Sequence, residues 1–244
     1  MTAIKGTNYD LMKQVSSGKY HNMNFGVLVS GTGSNLQAII DAIESGRLDA
    51  NIKLVICNKS KAKAIERAKK HNIPVKIIKH SKFKSRDEFE QVLVDEFKNV
   101  NIDYIVLAGF MRILTSTFLN AFHMRVINIH PALLPSFKGV DAQQQALDYG
   151  VCVTGCTVHF VDEGTDTGPI IAQTPVLVEP NDTRDDLAHR ILEQEHILLP
   201  TVLQWIARGD VQVVEEEGKR PRILKKYDGV DGRRGEVILD DVRG

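Results

Sequence analysis

Short β-branched runs alternate with amphipathic helical patterns through the middle of this chain, and that rhythm constrains the fold more than any other feature. Repeated strand–helix units bury their apolar surfaces by laying helices on the faces of a parallel sheet. Residues 25–30 read as the first strand, and Leu36, Ile39, Ile40 and Ile43 then follow the spacing of a helix that buries one face. Residues 53–57 form a second strand, followed by a helix from about 62 to the Asn72-Ile73-Pro74 stop, and 75–78 a short third strand. Phe89, Val92, Leu93 and Phe97 mark another helix, and residues 104–108 a continuous apolar strand suited to a sheet centre. A helix near 115–121, a strand at 125–130 and a helix at about 141–149 complete the pattern.

From Val151 the rhythm changes. Two long β-prone segments, 151–161 and 170–178, are joined by a Gly/Asp-rich connection and followed by a long helix over about 182–207, interrupted or kinked near Pro200. The expectation is an α/β fold with an open, mostly parallel twisted sheet flanked by helices. One domain covers residues 24–215, with a polar extension at 1–23 and a charged tail at 216–244; residues 211–214 carry a weak strand signal.

Composition narrows the function. The 31 basic and 31 acidic residues cancel, so the chain lacks the basic footprint of a general nucleic-acid binder. A small anionic ligand held locally remains compatible. No apolar stretch approaches the roughly 20 residues that cross a bilayer, and the first 23 residues have no signal-peptide core. Cys57, Cys152 and Cys156 make an odd count, and two cysteines four apart on a strand lie roughly 13 Å apart at about 3.3 Å per residue. A disulfide needs Cα atoms within about 7 Å, so free thiols in a reducing, cytoplasmic compartment are expected.

Ser30-Gly31-Thr32-Gly33-Ser34-Asn35 falls where the first strand hands over to the first helix. Glycines permit a tight turn and close approach to a ligand, and N–H groups at a helix start attract anions. Ser34 and Gln37 have the spacing of a capping box. Leu36 occupies the third glycine position of a dinucleotide fingerprint, and the P-loop Lys-Ser/Thr is missing. Taken alone, the loop is as readily a structural turn as a phosphate site.

In Val126-Ile127-Asn128-Ile129-His130-Pro131, Asn128 and His130 leave the strand on one face while Ile127 and Ile129 point the other way. Pro131 ends the strand and puts the pair near its C-terminal end, where open α/β sheets bind ligands. A buried Asn and His satisfied by backbone is the competing reading. Chemically, such a pair suits acyl transfer: both side chains can donate to a tetrahedral oxyanion, and His can return a proton to a leaving group. No G-x-S-x-G elbow supplies an activated nucleophile, and an amine attacking directly needs none.

A carboxylate beside His130 favours its charged form. Asp162, Glu163 and Asp166 all lie in the turn-rich segment before Gly168-Pro169, and any of them could be a solvated loop charge. Gly168-Pro169 stiffens the loop just after Asp166. The eight histidines show no H-E-x-x-H or C-x-x-C spacing, so no metal site is expected.

With these motifs assembled, residues 24–210 resemble the phosphoribosylglycinamide formyltransferase family of folate-dependent enzymes. The resemblance rests on the run from Ser30 to Gln37, on Leu107-Ala108-Gly109-Phe110-Met111-Arg112-Ile113-Leu114, and on Asn128-Ile129-His130-Pro131 with Leu133-Leu134-Pro135. Val158-His159-Phe160-Val161, Asp166-Thr167-Gly168-Pro169 and Gln194-Glu195-His196 complete it. It implies a formyltransferase fold with a Rossmann-like N-terminal half, and catalysis by Asn128, His130 and Asp166. It further implies that Gly33, Ser34 and Asn35 hold the phosphate of 5'-phosphoribosylglycinamide and that Glu195 contacts its glycinamide end. Arg86, Met111, Arg112, Ile113, Leu114 and Asn128 would bind 10-formyltetrahydrofolate, the cosubstrate. Away from the family, Arg86 and Glu195 read as surface charges on helices.

The implied activity is formyl transfer from 10-formyltetrahydrofolate to the glycinamide amine in purine (IMP) biosynthesis, by direct attack, in a monomer or weak homodimer with no nucleic-acid or membrane partner. The alternative is formyltetrahydrofolate deformylase, a hydrolase using water as acceptor. That family carries a regulatory domain ahead of the catalytic one, which 23 residues cannot hold. Methionyl-tRNA formyltransferase adds a C-terminal β-domain, for which the tail is too short. A non-catalytic phosphate-binding module would not need Asn128, His130 and Asp166 together.

Overall fold

The computed structural model describes residues 22–228 and 234–238. Its frame is a seven-stranded sheet built from β1 (Met23–Val29), β2 (Ala50–Cys57), β3 (Val75–Ile77), β4 (Tyr104–Leu107), β5 (Val126–His130), β6 (Val153–Phe160) and β7 (Ile170–Leu177). The spatial order is β3-β2-β1-β4-β5-β6-β7. Strands β1 to β5 pair in parallel, whereas β6 runs antiparallel to β5 and β7 antiparallel to β6. The expected open, mostly parallel sheet is therefore present.

Alternation along each strand sends side chains to two separate cores. On one face Val27, Val29, Val55, Ile127 and Ile129 pack with α1 (Ser34–Glu44), α2 (Lys63–Lys70) and α6 (Arg184–Ala207). On the other, Leu28, Ile56, Ile105 and Leu107 pack with α3 (Arg86–Asn99) and α4 (Ser116–Ala121), where Phe97, Phe118 and Phe122 meet edge to face or tilted. The short helix α5 (Ala142–Tyr149) follows β5 and contributes Ala146 to the first core.

Helix α6 runs through Pro200 without interruption, so of the interruption or kink expected there the interruption does not occur. A proline removes one helical N–H, but Leu198, Leu199, Pro200, Val202 and Leu203 are all buried, so tertiary packing outweighs the local penalty. A capping box of Thr183 and Asp186 starts this helix.

After α6 the chain forms a second, antiparallel sheet of β8 (Val211–Val214), β9 (Arg222–Asp228) and β10 (Arg234–Ile238). The signal at 211–214 is a strand, and two further strands lie in the segment expected to be a charged tail. Hydrophilic residues dominate β9, which hides its period. Val211 and Ile223 nevertheless join the first core, so this sheet is packed onto the domain. Residues 1–21 of the expected extension lie outside the described residues.

Strand order reverses between β1 and β4, because β2 and β3 lie on one side of β1 and β4 onward on the other. Crevices at such a switch point are where open α/β sheets bind ligands. The glycine loop leaves β1 there and the Met111–Leu114 segment follows β4. Ser30 N–H donates to Gly109 O at 3.2 Å and Met111 N–H to Ser30 Oγ at 2.9 Å, which locks the two loops together.

Candidate active site

Asn128 and His130 emerge from β5 on the face opposite Ile127 and Ile129, and His130 is buried. The antiparallel register sets Asn128 directly opposite His159 on β6 and His130 opposite Thr157. Residues paired this way share a face. The β6–β7 turn then returns Asp166 to the same point, with Oδ2 3.4 Å from His130 Nδ1. The three residues expected to act together thus converge at one strand end.

His130 is hydrogen-bonded at one nitrogen and flanked by a carboxylate at the other. Its Nε2 lies 2.8 Å from Phe137 O and its Nδ1 faces Asp166. Both neighbours are acceptors, an arrangement that a doubly protonated ring satisfies. Asp166 in turn accepts from Gly139 N–H at 2.8 Å. Phe137 and Gly139 belong to the loop between β5 and α5, so that loop binds the histidine and the carboxylate at once.

His159 belongs to the Val158-His159-Phe160-Val161 motif, which by itself assigns it no role. Its Nδ1 lies 2.8 Å from Phe160 O, which can only accept, so Nδ1 carries the hydrogen. Burial pushes its pKa down, opposed by the Phe160 hydrogen bond and by Asp166, and leaves the ring neutral. Nε2 is then a lone-pair acceptor, 3.2 Å from Asn128 Nδ2. Asp166 Oδ1 is 3.7 Å from the same nitrogen, too far for a hydrogen bond. His159 therefore orients the Asn128 amide with one N–H engaged and the other available. A second histidine two residues before Val161 is the only signal the sequence offers, and it needs the β5–β6 register to be read.

The glycine loop departs from expectation in one respect. Helix α1 is capped by Gly33 in the left-handed region (φ 70°) with no side-chain cap, so the capping box does not form. The Gln37 side chain instead donates to Asp41 at 2.8 Å and accepts from Arg67 at 3.2 Å. That leaves N–H groups of the first turn without a capping acceptor, as an anion site requires. A Cβ at Gly33 would sit 2.6 Å from Ala64 Cβ, so both conformation and space call for glycine. Arg67 Nε donates to Thr32 O at 3.0 Å and puts a positive charge behind the loop.

Glu195 is buried on α6, which corrects its family-independent reading as a surface charge. The packing of α6 on α1 turns its side chain inward, where Asn35 Nδ2 donates to Oε2 at 2.8 Å. Burial raises the carboxyl to about 7, with the Asn35 bond pulling the other way. Asn35 Oδ1 is also buried and has no hydrogen-bond partner among the described residues. The Asn35 side chain thus faces Glu195 rather than standing beside the loop's N–H groups. Burial pushes the nearby Cys156 thiol up to about 12, which makes it no nucleophile. All three cysteines are free.

Met111 and Ile113 are largely exposed at 72% and 59%, whereas Leu114 is buried, so the segment after β4 presents apolar side chains to solvent. The Arg112 guanidinium stands over the Phe89 ring, 5.9 Å from its centroid. Buried Glu90 fixes the segment's end by accepting from Thr115 N–H at 3.0 Å and from the Thr115 hydroxyl at 2.6 Å. Arg86 is exposed at the first position of α3, as expected for a helix-surface charge. Among the described residues no cluster of three or more His, Cys, Asp or Glu is arranged to hold a metal, and no helix is long and apolar enough to cross a membrane.

A doubly wound sheet with a glycine loop at its switch point and an Asn/His/Asp cluster at the end of β5 defines an α/β protein built for acyl-transfer chemistry. A family model described as formyl transferase matches residues 23–203. The chain is 42% identical over 182 residues to phosphoribosylglycinamide formyltransferase of Bacillus subtilis, covering 75% of this chain and 93% of that protein. It is 46% identical over 189 residues to the human trifunctional purine biosynthetic protein adenosine-3, covering 78% of this chain and 19% of that one. It therefore spans about a fifth of the length of the trifunctional relative. The crystal structure of glycinamide ribonucleotide transformylase 1 from Symbiobacterium toebii superposes with a TM-score of 0.79 at 41% identity, over 84% of this chain and 95% of that one. The chain belongs to the formyl transferase family.

Proposed function

We propose that this protein transfers the formyl group of 10-formyltetrahydrofolate to the amine of 5'-phosphoribosylglycinamide, a step of purine synthesis. The observation that carries the reading is the convergence of Asn128, His130 and Asp166 at the end of β5, with 3.4 Å between the histidine and the carboxylate. The names and coverage of the bacterial relatives support the same substrates.

The ribonucleotide phosphate sits on the N–H groups at Gly33, Ser34 and Asn35, and the glycinamide end reaches Glu195. There a carboxyl that burial raises to about 7 meets the substrate amine. The pterin lies along Met111–Leu114, whose exposed Met111 and Ile113 supply apolar contact, and Arg86 meets the folate carboxylate. The amine nitrogen bonds to the formyl carbon and the carbonyl oxygen becomes an oxyanion. Asn128 donates the amide hydrogen that His159 leaves unused, and His130 donates from Nε2. For this the Phe137 carbonyl must give up its place at Nε2 to the formyl oxygen, which couples substrate binding to the loop after β5. The bond to N10 then breaks, and the proton lost by the attacking amine passes by way of His130 to N10, while Asp166 balances the imidazolium charge. Three free thiols fit a cytoplasmic setting.

The test is to mix the purified protein with the two substrates and follow the formylated ribonucleotide. Stoichiometric product supports the reading. A folded protein that gives no product overturns it, and release of formate would assign the hydrolase instead.

A further inference from the structure

We infer that Arg220 is a positioning residue for Asp166, so that the C-terminal sheet is part of the active-site architecture; this rests on the formyl-transfer reading above. Asp166 occupies the left-handed region (φ 51°) in the turn between β6 and β7, so its aim at His130 depends on how the turn is held. The first half of the turn is braced from within: Asp162 Oδ1 accepts from Gly164 N–H at 3.1 Å and from the Thr167 hydroxyl at 2.6 Å. The far end is wedged against β6, where a Cβ at Gly168 would fall 1.8 Å from Phe160 O. The carbonyls of the same two residues, Thr167 and Gly168, follow immediately after Asp166 and are held from outside the turn. Arg220 Nη2 donates to both, at 2.6 Å and 3.3 Å.

Arg220 comes from the connection between β8 and β9, beyond residue 203 where the family match ends. That connection is itself anchored. Val211 and Ile223, on its two flanking strands, are buried in the first core, and Val214 pairs with Arg222 across the hairpin. Within it, Glu216 accepts from Lys219 at 2.6 Å and also pairs with Arg222. A guanidinium mounted on such a base restrains the two carbonyls without touching His130 or Asp166. A charged donor on a carbonyl is among the stronger single hydrogen bonds, and a carboxylate displaced by even a fraction of an ångström loses its alignment with the histidine.

The experiment compares wild type, Arg220→Ala, Arg220→Lys, Asp166→Asn and the Arg220→Ala/Asp166→Asn double variant, in kcat and KM with both substrates. Arg220→Ala should lower kcat about three- to tenfold, the scale of one positioning hydrogen bond, with KM changed less than about twofold. Arg220→Lys should recover part of the loss, since an ammonium can still reach one carbonyl. In the Asp166→Asn background, removing Arg220 should cost nothing further, because residues acting as a unit are not additive. An unchanged kcat in Arg220→Ala, or losses that multiply in the double variant, would overturn the inference. A second readout needs no substrate: the His130 ring resonances should shift in Arg220→Ala as they do in Asp166→Asn. If wild type proves inactive with these substrates the functional reading falls, and the His130 resonances alone decide whether Arg220 positions Asp166.

Discussion

Asn128 and His159 face each other across the antiparallel strands β5 and β6, and a neutral His159 accepts one amide hydrogen of Asn128 at 3.2 Å. The pair fixes which way the amide points. Replacing His159 by Phe keeps an aromatic ring of similar size but removes the acceptor, so kcat should fall at least about tenfold while substrate KM values stay close to wild type. Steady-state kinetics on a variant with native circular dichroism checks this. A kcat within twofold of wild type would remove His159 from the orienting role.

Asp166→Asn and His130→Ala should each lower kcat by at least about a hundredfold, the scale of one general acid–base or oxyanion group. In Asp166→Asn the ring loses the charge that balances it at 3.4 Å, and the shape of the site is otherwise retained. Near-normal turnover in either variant would exclude that residue from the mechanism.

Glu195 makes stability depend on pH. Its folded pKa of about 7 lies above the ordinary 4.5, so the folded chain binds this proton more tightly than the unfolded chain does. Stability from this group is fully present below about 4.5 and is lost as pH rises through about 7, by roughly 3 kcal/mol. Glu195→Gln removes the dependence. Urea midpoints of wild type and variant should diverge in the variant's favour between pH 5 and pH 8; parallel curves would show that the carboxyl is not held in this way.

Gly33→Ala tests the loop at the switch point. A left-handed φ of 70° costs an alanine about 1–2 kcal/mol, and the new methyl group meets Ala64 at 2.6 Å. The loop must shift, so KM for the ribonucleotide should rise at least about tenfold, more than KM for the folate. Equal changes in the two KM values would argue against a phosphate seat at this helix start.

Much of the frame was legible because its signals are local. Strand runs separated by amphipathic helices, Leu36, Ile39 and Ile40 on one helical face, and Asn128 and His130 two apart on an apolar strand all follow from backbone periods that act within a few residues. Even there, Ser34 and Gln37 matched a capping box that does not form, because Gln37 found Asp41 and Arg67 as partners. Long-range packing decided the rest. In the turn between β6 and β7 the Asp166-Thr167-Gly168-Pro169 motif singles out Asp166 by resemblance alone, and its approach to His130 exists only once the sheet is assembled. Glu195 looked like one more charge on a long helix until α6 packed on α1 and buried it against Asn35.

Local periods along the chain thus settle the kind of sheet, the position of the glycine loop and the pairing of Asn128 with His130, since each depends on geometry within a few residues. It took the assembled fold to set His159 against Asn128, to bring Asp166 within 3.4 Å of His130 and to carry Arg220 to the turn that holds Asp166. Those relations depend on register, helix packing and the return of a distant hairpin. Their energies arise between residues far apart in the chain and leave no period along it.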